Sequence, residues 1–289
     1  MKFDERIQAM IDLFRSSLPG WTVIAVPDCT NLEESQSEDI CKSFPIEALP
    51  ITADFVRNND LHFYQNRTGW LCGDYVVYRA LDLDWDFAWV VEPDVYFLNG
   101  AEDILKRLQA LEHDLLATHL WVAGPGWLGT GALNSLIPEL TVHAMAFPFF
   151  RVSRRVAIES FKLRKRISTL LKPDSKVPND EAVLATAAYN MGATLLDIRS
   201  LYEEQFEIWS TLTRVNIEDV QQVVAGPRIV HSGQLKGKYM NQMENYWAAA
   251  IEGSEFCRRQ LLASLETSSH QTLLELIPRF LEASKKENS

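Results

Sequence analysis

The chain of 289 residues carries a formal net charge of -11, and 47% of its residues are hydrophobic while 23% are charged. This composition indicates a folded globular protein and argues against a disordered or fibrous chain. The acidic balance also argues against nucleic acid as a partner, because the phosphate backbone would be repelled.

Apolar periodicity predicts helices and strands that alternate along the chain. From the N-terminus, the predicted elements are a helix at 3–17, a buried strand WTVIAVPD, a helix at 73–83, a strand at 87–97, a helix at 101–112, strands at 114–122 and 143–153, helices at 154–171 and 178–192, and strands at 193–198 and 228–233. The remaining C-terminal residues have an amphipathic helical pattern.

This alternation predicts an α/β fold with a mostly parallel central sheet flanked by helices. We expect residues 1–240 to form the main domain and residues 241–289 to form a C-terminal helical extension. That extension would pack on the core or supply the surface of a homodimer.

The four cysteines, Cys29, Cys41, Cys72 and Cys257, are scattered and form no C-x-x-C pair. This spacing argues against a disulfide framework or a structural zinc site and fits a reducing, cytoplasmic location. The N-terminus lacks the apolar segment of a signal peptide, and no apolar run approaches the ~20 residues of a membrane span. A basic cluster at 162–166 is either a solvated helix face or a peripheral contact with an anionic membrane surface.

The motif Glu92-Pro93-Asp94 follows the apolar run FAWVV, at the end of a predicted buried strand. Side chains alternate along a strand, so both carboxylates project on one side, about 6–7 Å apart along the chain. Pro93 cannot donate a ladder hydrogen bond, which places the end of the strand here, at an edge where α/β sheets bind ligands. Two carboxylates beside an apolar core need compensation, and Mg²⁺ or Mn²⁺ suits their oxygen atoms. The alternative is that Glu92 caps a neighbouring backbone group and Asp94 begins a turn.

An apolar strand that ends in an acid-x-acid triplet resembles the metal-binding motif of GT-A-type glycosyltransferases. The resemblance covers about residues 20–235 and implies a GT-A-like, Rossmann-like domain that binds a nucleotide-sugar donor. It implies that Asp94 binds a Mn²⁺ or Mg²⁺ ion that bridges the donor diphosphate. Because Glu92 replaces the usual first aspartate of the motif, it is expected to bind through water or to contact the donor sugar or ribose.

The same family often supplies a late histidine to the metal, and His231 in RIVHSGQLKGK stands where that ligand is expected. Imidazole suits Mn²⁺ better than Mg²⁺, so Mn²⁺ is the preferred ion. Lys236 and Lys238 follow in the same segment and are candidates to contact the diphosphate. The alternative for His231 is an ordinary buried or surface histidine.

The segment PNDEAVLATAAYNMG predicts a helix that Asn179 caps, with Asp180 and Glu181 in its first turn. Acids favour a helix N-terminus, which by itself accounts for both residues. In the resembling family, an acid at this helix start serves as the general base of inverting enzymes and deprotonates an acceptor hydroxyl. Asp180 is the first candidate for that role, and Glu181 is the second.

The segment GPGWLGTG has the spacing Gly124-x-Gly126-x-x-Gly129, but it does not follow the first strand as a dinucleotide fingerprint would. It instead predicts a loop over the acceptor site, in which Trp121 and Trp127 either stack on a sugar ring or belong to the core.

A second aromatic-rich segment, LHFYQNRTGWLCGDYVVYRAL, lies between the first strand and the acidic motif. In the resembling family this region holds the nucleobase and ribose, which makes Asp74, Tyr75 and Arg79 candidate donor contacts.

These features predict a metal-dependent glycosyltransferase that moves a sugar from a nucleotide-diphosphate-sugar to a glycan, lipid-linked or other hydroxyl acceptor. By analogy with enzymes of this kind, polysaccharide or lipopolysaccharide assembly is the expected setting. A second hypothesis is a nucleotide-sugar-binding protein without turnover. A third is a nucleotidyltransferase-like or other phosphate-handling α/β enzyme. Residues 26–43 lack the glycine- and lysine-rich phosphate loop that a nucleotidyltransferase would show.

Overall fold

A computed structural model of the chain describes residues 3–64, 67–124, 127–172, 175–209 and 214–286. The fold is mixed α/β, as the alternation of elements predicts. The strands are β1 (Asp28–Cys29), β2 (Ile51–Thr52), β3 (Phe87–Val91), β4 (Tyr96–Leu98), β5 (Leu115–Val122), β6 (His143–Ser153), β7 (Leu195–Asp197), β8 (Val215–Asn216), β9 (Arg228–Val230) and β10 (Gly233–Gln234). The α-helices are α1 (Glu5–Ser17), α2 (Glu34–Ser43), α3 (Ala53–Asn58), α4 (Thr68–Leu71), α5 (Tyr75–Arg79), α6 (Glu102–Leu108), α7 (Leu128–Leu136), α8 (Arg154–Leu170), α9 (Asp180–Asn190), α10 (Arg199–Tyr202), α11 (Ile217–Val223), α12 (Lys236–Ile251), α13 (Glu255–Leu265) and α14 (His270–Lys286).

Internal contacts divide the chain into two compact units. Unit 1 comprises Met1–Glu92 and Lys106–Leu201, and unit 2 comprises Pro93–Leu105 and Tyr202–Ser289. The chain therefore leaves the first unit inside the acidic motif. The boundary that the sequence predicts at residue 240 falls within α12 instead.

The four-stranded sheet of unit 1 has the strand order β3-β6-β5-β7. β6 runs antiparallel to both β3 and β5, while β5 and β7 are parallel. The sheet is therefore mixed, which corrects the expected mostly parallel arrangement. The reason lies in the connection between β5 and β6, which contains α7. It starts β6 beside the end of β5, where Val122 pairs with His143, so the two strands run in opposite directions.

β6 contains a bulge in its pairing with β5. The register shifts after Ala117, so that residues 147–149 are left between two regions of regular pairing. Pro148 lies in this bulge, where its missing N–H leaves no ladder position unfilled. Its carbonyl accepts a hydrogen bond from the Glu92 N–H at 2.8 Å. The bulge is therefore hydrogen-bonded to the residue that follows β3. Such bulges are common beside functional sites.

The apolar run WTVIAVPD forms less strand than its pattern predicts. Only its last residue, Asp28, belongs to β1, which pairs in parallel with β2 in a separate two-stranded sheet. An isolated bridge joins Ala25 to Ala48, and the Pro27 carbonyl accepts from the Ile51 N–H. Because Pro27 has no N–H to donate, it limits the growth of a wider sheet here.

A buried ion pair connects α8 to the start of α5 in unit 1, and the same arginine also reaches the segment before α9. The Arg164 guanidinium donates to both oxygens of Asp74, at 2.8 and 2.9 Å, and to the Pro178 carbonyl at 2.7 Å. The Tyr78 hydroxyl donates to the same carboxylate at 2.6 Å. Arg164 is 1% exposed and Asp74 is 0% exposed, so each charge depends on the other for compensation.

The basic cluster at 162–166 lies on α8, and its cationic side chains have acidic partners. The pairs are Lys162–Glu159, Arg164–Asp74, Lys165–Asp60 and Arg166–Glu139. Arg164 is buried, and the pairing of the other three cations favours a solvated helix face over an anionic membrane contact. Among the described residues, no helix is long and apolar enough to cross a bilayer.

Unit 2 contains two short ladders and the C-terminal helices. β4 pairs with β9 in the antiparallel sense, and β10 pairs with β8 in the parallel sense. One apolar core lies under these strands, and a second lies among the helices α12, α13 and α14. The C-terminal helices therefore pack on one another within unit 2. Their role in a homodimer stays a prediction.

We expect Asp74→Asn to lower the free energy of unfolding by about 3–5 kcal/mol, because it leaves the buried Arg164 charge without its counter-ion. The midpoint of urea unfolding, followed by far-ultraviolet circular dichroism, measures the change. Glu139→Gln is a matched control that removes one carboxylate from a solvated pair, and it should leave the midpoint nearly unchanged. Equal shifts in the two variants would contradict a dominant role for the buried pair.

Candidate metal centre

The pairing of β4 with β9 brings Asp94, the second acid of the motif, and the late histidine together in unit 2. The register of this ladder, continued past its last pair, places Asp94 opposite Ser232, with His231 next to it in the chain. The Gly233 N–H donates to the Asp94 carbonyl at 3.3 Å, which extends the contact beyond the ladder. Backbone hydrogen bonding thus sets the distance between the two predicted metal ligands.

The turn after His231 has little conformational freedom. Ser232 is fully buried and has a φ of 64°, in the left-handed region that residues with a side chain rarely adopt. A β-carbon at Gly233 would lie 2.4 Å from the Ile217 side chain and 2.6 Å from the Tyr96 ring. A glycine at position 233 is therefore favoured for steric reasons, and Ser232 holds a strained backbone conformation directly beside the histidine.

His231 is also held by the segment before residue 210. Its N–H donates to the Ile208 carbonyl at 3.4 Å, and a backbone bridge joins it to Trp209. The indole of Trp209 lies beside the imidazole, with 5.2 Å between ring centroids. The imidazole is 7% exposed, whereas the Asp94 side chain is 33% exposed. The histidine is thus packed in protein, while the neighbouring carboxylate is reachable from solvent.

Glu92, Asp94 and His231 each offer one ligand atom, and these atoms lie within 4.8 Å of one another. His231 Nε2 is 3.7 Å from Asp94 Oδ1, which is too long for a hydrogen bond. Two ligands of one ion with bonds of about 2.1 Å lie ~3.0–3.6 Å apart at bond angles of about 90–120°, so the separation of 3.7 Å lies next to the upper end of this range. The observed separation therefore suits two atoms that share a cation, and two carboxylates with one imidazole are a donor set that fits Mn²⁺.

Arg214 is a neighbour of this cluster that the sequence did not reveal. Its Nη1 lies 3.9 Å from Asp94 Oδ2. Pairing of β8 with β10 brings it there, because Val215 is opposite Gly233. No local sequence motif indicates a role for Arg214, because its position beside Asp94 depends on the pairing of β8 with β10.

Lys236 and Lys238, the predicted diphosphate contacts, lie in the first turn of α12. The Lys236 ammonium pairs with the Glu275 carboxylate at 2.8 Å, and Lys238 is exposed. Their role in diphosphate binding stays a prediction, whereas Arg214 is a cation that lies beside Asp94 in the structure.

α9 of unit 1 begins where the sequence predicts, with the Asn179 side chain as its cap. The buried Asp180 carboxylate accepts hydrogen bonds from the N–H groups of Gly73 and Glu181, at 2.9 and 2.8 Å. Burial, followed by the nearby Asp74 and Glu181 carboxylates, raises the pKa of Asp180 well above its ordinary value. With both oxygens engaged, Asp180 is poorly placed to accept a substrate proton.

Glu181 is the better placed of the two acids. It is half-buried, and its carboxylate accepts a hydrogen bond from the Asn179 amide at 2.9 Å. Burial raises the pKa of Glu181, although the Asn179 amide and the Phe147 backbone partly offset this effect. Phe147 belongs to the β6 bulge whose Pro148 carbonyl binds the Glu92 N–H. The start of α9 and the end of β3 therefore both contact the β6 bulge. In addition, the raised pKa of the Glu181 carboxylate suits a general base.

Asp74 and Arg79, the predicted donor contacts, are engaged elsewhere. Asp74 is the buried counter-ion of Arg164. The Arg79 guanidinium donates to the Pro50 carbonyl at 3.2 Å and to the Asp82 carboxylate at 2.8 Å. Because these partners already occupy both side chains, we leave Asp74 and Arg79 out of the proposed site.

Trp121 and Trp127 lie edge to face, with 5.6 Å between ring centroids. Trp121 is exposed, while Trp127 packs against a cluster of apolar side chains in unit 1. The predicted loop is partly helical, because Gly129 lies in α7, and a β-carbon there would lie 2.5 Å from the Trp127 ring. Gly126 lies outside the described residues. The acceptor role of the two tryptophans stays a prediction.

Comparisons with known proteins add no relative to this picture. No family model matches the chain, and no curated protein matches it. Function must therefore be inferred from the site itself, because a fold does not determine an activity.

We expect the chain to bind Mn²⁺ and expect Asp94→Asn and His231→Gln each to weaken that binding by at least about tenfold, because each removes a ligand. Electron paramagnetic resonance of free Mn²⁺ measures the affinity. Asp54→Asn is the matched control, since Asp54 is an exposed carboxylate that pairs with Arg57. If Asp94→Asn binds Mn²⁺ as tightly as the unaltered chain, the site is wrongly placed.

Proposed function

We propose that the chain is a metal-dependent glycosyltransferase that takes its sugar from a nucleotide-diphosphate-sugar. The observation that supports this most strongly is the cluster of Glu92, Asp94 and His231 after an apolar strand. The donor set favours Mn²⁺ as cofactor, with Mg²⁺ as the alternative. A bound ion would supply Lewis-acid stabilisation of the diphosphate leaving group.

The roles of the three ligands follow from their positions. Asp94 and His231 would hold the ion directly, since His231 Nε2 and Asp94 Oδ1 are 3.7 Å apart. Glu92 binds it directly or through water, or contacts the ribose or sugar of the donor. The partial exposure of Asp94 keeps the ion accessible to a substrate that arrives from solvent.

Glu181 is the proposed general base of an inverting reaction. It combines partial exposure with a raised pKa, and both properties favour a group that takes a proton from an acceptor hydroxyl near neutral pH. Asp180, which the sequence ranks first, instead fixes the backbone of Gly73 against the start of α9. Asp180 is therefore assigned a positioning role.

Transfer to a glycan or lipid-linked acceptor distinguishes this proposal from a binding protein on the same scaffold. Many transferases slowly hydrolyse their donor when no acceptor is present, so release of a nucleoside diphosphate is the discriminating observation. A nucleotidyltransferase-like enzyme would instead release pyrophosphate from a nucleoside triphosphate when a sugar phosphate is supplied.

In a thermal-shift experiment with the diphosphates of uridine, guanosine, adenosine, cytidine and thymidine, we expect one nucleotide to raise the melting temperature only when Mn²⁺ is present. At about 100 times its Kd, that ligand adds about 2.7 kcal/mol to the stability of the folded state. In Asp94→Ala, the nucleotide should no longer raise the melting temperature when Mn²⁺ is present. Equal stabilisation by the nucleotide with and without Mn²⁺ would count against a metal-bridged diphosphate.

We expect Glu181→Gln to lower kcat by about 10²–10⁴-fold, because the glutamine cannot accept a proton. Steady-state hydrolysis of the nucleotide-sugar whose base the thermal-shift panel selects provides the measurement. In the unaltered enzyme, kcat/KM should rise with pH through the raised pKa of Glu181, since the deprotonated form is the base. The variant should lose this rise yet keep Mn²⁺-dependent nucleotide binding, and an unchanged rate would exclude Glu181 as the base.

A further inference from the structure

Arg214 and His231 face different oxygens of one carboxylate. Asp94 Oδ2 lies 3.9 Å from Arg214 Nη1, and Asp94 Oδ1 lies 3.7 Å from His231 Nε2. Both separations exceed a hydrogen bond, so neither neighbour binds the carboxylate tightly. The arrangement is that of a carboxylate with one nitrogen ligand on one side and one fixed positive charge on the other.

The backbone of Arg214 is firmly positioned, although its side chain is not buried. Its N–H donates to Oγ of Ser264, a fully buried residue of α13, at 3.1 Å. The next N–H along the chain, that of Val215, donates to the Ser232 carbonyl at 3.4 Å. The side chain itself is 31% exposed. The guanidinium therefore extends from a fixed point into a region that solvent reaches.

A divalent cation and the Arg214 guanidinium would compete for the charge of Asp94. Like charges repel, so an ion held by Asp94 and His231 weakens the attraction between the carboxylate and the arginine. The guanidinium then needs an anion near the ion, and its planar set of donors matches phosphate oxygens. Lys236, by contrast, is already paired with Glu275.

We propose that Arg214 is a phosphate-binding residue of this site, which serves as the counter-ion of Asp94 without metal and contacts the donor diphosphate once metal is bound. This inference rests on the proposed function and adds a residue to it. It assigns to Arg214 the contact that the sequence pattern gives to Lys236 and Lys238.

The variant Arg214→Gln separates the two roles. Its affinity for Mn²⁺ alone, measured by electron paramagnetic resonance, should equal or exceed that of the unaltered chain, because a competing charge is gone. Its affinity for the selected nucleoside diphosphate at saturating Mn²⁺, measured by calorimetry, should fall by about 10–100-fold. Arg214→Lys should recover part of the lost affinity, since it keeps the charge without the planar donors.

Arg258→Gln is the matched control, because it removes the same charge from an exposed pair with Glu255, and it should change neither affinity. If Arg214→Gln weakens Mn²⁺ binding as much as nucleotide binding, Arg214 merely positions Asp94 and the proposal is overturned. Nucleotide binding that is unchanged in Arg214→Gln overturns it as well. Failure of the proposed function appears differently, as the absence of Mn²⁺-dependent nucleotide binding in the unaltered chain, and the Arg214 proposal then falls with it.

Discussion

Three residue pairs between β4 and β9 bring an acidic motif and a histidine from distant parts of the sequence into one place. A ladder this short depends on the apolar side chains beneath it, which include Leu98 and Val230. Because side chains alternate along a strand, a slip of one residue would turn His231 away from Asp94. The tight packing of Gly233 opposes such a slip, and the geometry of the candidate site thus follows from this one register.

Three carboxylates of the chain are held in three different ways. Asp74 is fully buried and neutralised by the Arg164 guanidinium. Asp180 is buried as well, but backbone N–H groups satisfy its oxygens. Asp94 is partly exposed, and Arg214 Nη1 and His231 Nε2 lie 3.9 and 3.7 Å from its oxygens, beyond hydrogen-bond distance. An external cation gains most at Asp94, because the other two would first have to lose partners that already compensate them.

Local signals in the sequence predicted the bounds of β6 and the Asn179 cap of α9, but they did not predict helices such as α2 and α11. The direction of β6 could not be predicted, since a strand buried on both faces has the same apolar pattern either way. Arg214 was missed because its place depends on the pairing of β8 with β10. The sequence also ranked Asp180 above Glu181. It could not show that Asp180 is the more buried of the two, because a position in the first turn of a helix indicates a charge preference but not burial. Burial at that point is set by Gly73, from a distant segment.

The long distance between Asp94 and Arg214 is consistent with an ion pair in which a cation could take the place of the arginine. Exposed ion pairs contribute about 0–1 kcal/mol to stability, so little is lost when a cation replaces Arg214 beside Asp94. Removing Arg164 from Asp74 would instead leave a buried charge, at a cost of about 3–5 kcal/mol. The ion pair that stabilises the fold and the pair at the candidate metal centre therefore use different residues. Because of that separation, changes at Asp94 or Arg214 can report on binding without unfolding the protein.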